Sequence, residues 1–126
     1  MSLAYPHTVT IWNKVDETGR KASWQRRTFD GVRWEETRGA STGTSGDASE
    51  DETLVLIPAV FSGYADPAKL VDGRTLGGAE WTLRKGDRIA LGDSLAQIPP
   101  AAASTVTKAT AIRLGRSIHH FEVSCA

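Results

Sequence analysis

The sequence predicts an all-β fold, a small antiparallel β-barrel or sandwich of about six to seven strands with a long inserted loop and little helix. Three features carry this reading. Short segments alternate apolar and polar residues with a period of two. Gly- and Asp-containing turn signals recur between them, and helical signals last at most a turn or two.

His7 to Asn13 alternates, with Val9 and Ile11 on one face and Thr8, Thr10 and Trp12 on the other, which makes it the first strand. Asp16-Glu17-Thr18-Gly19 is a turn signal, and Trp24 to Phe29 resumes as the second arm of a hairpin. Asp30-Gly31 marks a reversal or a bulge. Val32 to Thr37 alternates again and offers Trp34 to the core. Leu54-Val55-Leu56-Ile57-Pro58 is nearly continuously apolar, as suits a strand buried on both faces or passing through the centre of a small barrel, with Pro58 ending it. Asp66 and Pro67 are the cap and first residue of a single helical turn. Trp81-Thr82-Leu83 reads as a short strand, Lys85-Gly86-Asp87 as a turn and Arg88 to Leu91 as a strand. Pro99-Pro100 places a surface loop between Leu95 and Ser104. Thr105 to Leu114, the Gly115-Arg116 turn and Ile118 to Val123 then form the closing hairpin.

Between the strand runs lies a polar segment, residues 38 to 53, in which small residues give way to carboxylates. It has almost nothing apolar to bury, so ordering it requires a partner. A loop of this length in a compact domain points to a presented functional segment rather than an idle insertion. The carboxylates Asp47, Glu50, Asp51 and Glu52 lack the spacing of a calcium-binding loop, and solvation is their simplest role.

With 126 residues and 40% hydrophobic content, the chain is expected to form one domain, 1–126, with one modest core. Its one cysteine, Cys125, allows no intrachain disulfide and fits a reducing compartment. No apolar stretch approaches the roughly 20 residues of a membrane span, so no membrane partner is expected. The 15 basic and 15 acidic residues cancel, which disfavours nucleic-acid binding driven by overall charge and permits close approach of like copies.

Catalytic and metal signals are sparse. His120 and Glu122 share a strand face with His119 and Phe121 opposite, and His7 would be a third ligand only if the first and last strands paired. Ordinary strand histidines are the plainer reading. Cys125 beside them at a frayed terminus is a poor nucleophile. Gly73-Arg74-Thr75-Leu76-Gly77-Gly78 lacks a Walker lysine and is read as a turn. No catalytic residue, cofactor or metal is expected.

Five segments in order carry a resemblance: Tyr5 to Asn13, Gly31 to Glu35, Leu54 to Pro58, Trp81 to Asp87 and His119 to Val123. In that order the chain resembles the head-closure, or head-tail joining, proteins of the tailed-phage neck. It is also similar to small minor capsid proteins of phages of Gram-positive bacteria. The resemblance implies a structural, non-enzymatic virion protein, assembled in the host cytoplasm as a six-fold or twelve-fold ring. Its implied partners are the portal-bound adaptor, the tail terminator or tail tube protein, and the double-stranded DNA that the ring closes in. By position, the long loop would line the channel or touch a neighbour through Gly39, Thr42, Gly43, Ser45, Gly46, Asp47, Glu50, Asp51 and Glu52. A tail terminator or tail-completion protein is the alternative within phage assembly. A different class, a barrel binding single-stranded nucleic acid, would use Arg26, Arg27, Arg33 and Trp34, whose alternation gives no continuous basic aromatic face.

Overall fold

Strand alternation in this sequence is resolved by closing the sheet on itself, so that each strand has a neighbour on both sides over part of its length. The computed structural model describes residues 5–18, 21–37, 52–69, 76 and 79–126. Its strands are β1 (His7–Thr18), β2 (Lys21–Thr37), β3 (Glu52–Pro58), β4 (Arg88–Leu91), β5 (Ser104–Leu114) and β6 (Ser117–Cys125). They form a closed barrel in the order β1-β2-β3-β6-β5-β4, and every neighbouring pair is antiparallel.

The runs expected as separate strands before and after Asp30-Gly31 are one strand. Its first part pairs with β1 and its last part with β3, so β2 is the element that carries the sheet round the corner. His7 faces Val32 while Thr8 faces Asp30, leaving Gly31 as the extra residue of a bulge. Gly31 has a φ of 82°, a conformation open to glycine at little cost.

β3 corrects a second expectation. Val55 and Ile57 are fully buried, whereas Leu54 and Leu56 point outward and are half-buried. The strand is one wall of the barrel. Trp81-Thr82-Leu83 is not a strand either: its one ladder contact is a parallel bridge from Trp81 to Tyr64. Its backbone is satisfied by other means. Trp81 N donates to Gly63 O (3.0 Å), and Trp81 O accepts from Ala65 N (2.8 Å). Pro67–Lys69 forms a single 3-10 turn, as the sequence predicts, with Ala68 N donating to the Asp66 carboxylate at 3.0 Å.

The core gathers inward residues of every strand, including Val9, Ile11, Phe29, Val32, Ile89, Val106 and Val123. Burying each such side chain contributes about 1.5–3 kcal/mol. Trp81 plugs this core, with its ring centroid 4.7 Å from Phe29, 5.1 Å from Tyr64 and 5.4 Å from Phe121. Its indole N–H is not lost in the apolar interior, since it donates to Ser62 O at 2.9 Å.

Thr10 and Trp12 lie on the outward face of β1, yet both are fully buried. The stretch after β4 folds over them. Thr10 Oγ1 donates to Gly92 O at 2.7 Å and accepts from Ser94 N at 2.8 Å, and Trp12 Nε1 donates to Ala96 O at 2.9 Å.

One buried polar cluster ties the plug to the barrel. Asp87 accepts from Lys14 N (2.9 Å) on one oxygen, and from Arg84 N (2.9 Å) and Asn13 Nδ2 (3.0 Å) on the other. Asn13 also donates to Thr82 O and accepts from Thr82 N, so its amide stands in for the strand neighbour that residues 81–83 lack. Asp87 is 1% exposed and Asn13 is fully buried.

Two predictions follow from this cluster. Asp87→Asn turns an amide N–H toward a backbone N–H that needs an acceptor, so it should lower unfolding stability by about 1–3 kcal/mol in a denaturant titration. Burial also pushes the Asp87 carboxyl above the usual carboxylate range, against the pull of its three hydrogen-bond donors and the nearby Arg84 charge. The folded chain thus holds this proton to higher pH than the unfolded chain does. Its contribution is complete below the ordinary carboxylate range and is lost as pH rises through the folded value. Denaturation midpoints measured across that interval should therefore show a falling component in the wild type that is absent in Asp87→Asn.

Candidate functional site

The polar connection is held at both ends by the sheet. Thr37, the last residue of β2, pairs with Glu52, the first of β3, and Thr53 next to it pairs with Cys125 at the end of β6. Of the residues expected to line a channel or touch a neighbour, Glu52 is exposed at this anchor. Gly39, Thr42, Gly43, Ser45, Gly46, Asp47, Glu50 and Asp51 lie outside the described residues.

The histidines do not converge. β1 pairs with β2 and β4 rather than with β6, so His7 is not brought to the closing strand. Instead His7 Nδ1 accepts from Trp34 N at 3.0 Å, which secures β1 to β2 at the bulge. His119 and His120 bring their Nδ1 atoms to 2.8 Å, and His120 Nε2 lies 3.1 Å from Glu122. Among the described residues no group of three or more histidine, cysteine or acidic side chains is placed to hold a metal ion.

The basic and aromatic residues of the nucleic-acid reading are dispersed by their own contacts. Arg26 donates to Ser94 O (2.9 Å), Arg27 to Ala79 O, and Arg33 forms an ion pair with Glu35 at 2.6 Å. Trp34 packs against the core instead of standing free for stacking.

Two features escape sequence reasoning. A cavity of about 740 Å³ opens where β1 begins and β3 ends, lined by Tyr5, Pro6, His7, Pro58, Val60 and Phe61 among others. Val60 at its edge is 79% exposed, as is Leu95 on the stretch that covers Trp12. The lining comes from segments some 50 residues apart in sequence, and no local pattern marks such a juxtaposition.

Cys125 also departs from expectation. It is not frayed: β6 carries it into the core with no exposed surface, and Cys125 Sγ lies 3.5 Å from Thr53 O. Burial, followed by the neighbouring Glu52 charge, pushes its thiol up to about 12. A thiol held there is inert at neutral pH. Alkylation by iodoacetamide at mildly alkaline pH should run on the order of 100-fold slower in the native chain than after denaturation. Comparable rates in the two states would contradict the burial of this residue.

No curated protein and no solved structure matches the chain at significance. A family model does, over residues 4–126, and the chain therefore belongs to the DUF6751 family, a family of unknown function.

Proposed function

We propose that this chain is a structural ring component of the tailed-phage neck, acting in head closure between the portal-bound adaptor and the tail. The observation that carries this reading is the pairing of Thr37 with Glu52. A closed barrel grips both ends of a polar, acidic connection and leaves residues 38–51 between them. Such a barrel is a rigid mount, and what it mounts is chemically suited to a DNA channel. Asp47, Glu50, Asp51 and Glu52 present like charge to phosphate, which disfavours adhesion while DNA moves through. The ordered motifs of the sequence support the same assignment.

The connection is dispensable to the barrel in this reading. Deleting Ala40 to Ser49 leaves Arg38, Gly39, Glu50 and Asp51 to join β2 to β3, a length that antiparallel hairpins accommodate. The variant should fold and unfold like the full chain, yet particles assembled with it should fail to retain DNA. Filled, infectious particles would sink the channel role.

Removing the whole chain separates the alternatives by electron microscopy of the particles. Complete tails beside tailless heads that have lost DNA are expected for head closure. DNA-filled heads beside tails of abnormal length would assign the chain to the tail terminator, and normal particles would reject both roles.

A further inference from the structure

The β5–β6 hairpin bears a second cavity, of about 350 Å³, with an apolar floor that includes Phe61, Ile118 and Phe121 and a rim of Tyr64, Arg113 and Arg116. Arg113 faces Ile118 across the hairpin and Leu114 faces Ser117, so Gly115-Arg116 is a two-residue turn and the two arginines flank one tip. Phe121 is buried, while both arginines are exposed. Neither arginine forms an ion pair among the described residues, in contrast to Arg26 and Arg33. Asp66, whose charge is felt at Tyr64, is engaged at the 3-10 turn, where it accepts from Ala68 N at 3.0 Å. Burial, and then that Asp66 charge, push the Tyr64 phenol above its ordinary value, while Arg113 draws it back. The hydroxyl therefore keeps its proton at neutral pH and adds a donor to the rim.

The chemistry of an occupant follows from this lining. Two guanidiniums offer planar forks of donors, which match a carboxylate or a phosphate. The floor excludes water on one side and takes an apolar group. The volume lies at the small end of ligand cavities, which run from roughly 300 to 1,000 Å³, and suits one large side chain better than an extended cofactor. Nucleic acid fits this lining less well. Its affinity rests on many phosphate contacts, whereas the chain has zero net charge and the rim has two arginines. Base stacking requires free aromatic faces. Here the rings are packed on one another, with Phe61 4.6 Å from Phe29 and Tyr64 4.6 Å from Phe121 between centroids.

We propose that this cavity binds an acidic peptide segment of a partner protein, with a large apolar side chain of that segment over Phe61, Ile118 and Phe121 and its neighbouring carboxylates on Arg113 and Arg116. A lone exposed ion pair contributes little. Carboxylates held beside a seated apolar group are less screened by water, which concentrates affinity on these few residues. The site is a property of the barrel and stands apart from the neck reading. A failed peptide titration leaves head closure untouched, and normal particles after removal of the chain leave the cavity untouched.

The test follows amide chemical shifts of the isotope-labelled chain, at low ionic strength, during titration with a short peptide that places one phenylalanine between two glutamates in a glycine–serine context. Saturable shifts are expected at Phe61, Tyr64 and the hairpin from Arg113 to Ile118. Replacing both glutamates of the peptide by glutamine, or its phenylalanine by serine, should weaken binding at least about tenfold, as should Arg113→Gln with Arg116→Gln in the chain. Added salt should weaken it as well. Both arginines are exposed, and a dispersed amide spectrum of the double variant would confirm that it is folded; Arg116→Gln alone is the milder second variant. A peptide that shifts none of these amides, a glutamine peptide that binds equally well, or a double variant that binds as the wild type does would overturn the proposal. A double-stranded oligonucleotide or inorganic phosphate that shifts the same amides at lower concentration than the peptide would also overturn it, and would assign the arginines to phosphate.

Discussion

The Asp87 carboxylate holds together two parts of the molecule that no strand ladder connects. On one side stands β1; on the other, the irregular stretch that leads into Trp81 and delivers it to the barrel interior. Neither Trp81 nor Leu83 has a full strand neighbour, and Asn13 and Asp87 bind the backbone of Thr82 and Arg84 around them, taking the place of a ladder. A buried carboxylate without donors would be a strong destabiliser. With three donors it becomes the geometric constraint that fixes the plug, and through the plug the aromatic cluster of Phe29, Tyr64 and Phe121.

Rigidity of this kind has a functional counterpart. A closed barrel with a pinned plug changes shape little, so recognition passes to what projects from it. Two exposed features stand out chemically: Glu52 at the start of β3, and Arg113 and Arg116 on the hairpin between β5 and β6. The same strand, β6, separates them, and its length sets their distance. The zero net charge of the chain conceals both.

Much of the fold is legible in local sequence. Period-two alternation marks β1, β5 and β6, the Asp66-Pro67 signature marks the 3-10 turn, and Gly86 and Gly115 adopt positive φ in the turns predicted for them. The unread parts are those decided at long range. Asp30-Gly31 reads locally as a reversal or a bulge, and it is the neighbouring strands β1 and β3 that select the bulge within one strand. Trp12 alternates outward, and residues more than eighty positions later bury it. Trp81 to Leu83 has strand-like composition, but Gly63 and Ala65 satisfy the backbone of Trp81 and the Asn13 side-chain amide that of Thr82. Of the candidate site, the acidic connection is visible as composition, while the cavity where β1 begins and β3 ends requires Tyr5 and Phe61, far apart in sequence, to line one space.

Native-state hydrogen exchange of the Lys14 and Arg84 amides, both donors to Asp87, tests most directly whether the plug and the barrel form one cooperative unit. Exchange of both amides only through global unfolding, with the same denaturant dependence as Val9 and Ile11, is the predicted result. Exchange of Arg84 through a local opening, while the β1 amides stay protected, would show that the plug can detach and that the Asp87 cluster is not the constraint on which the fold depends.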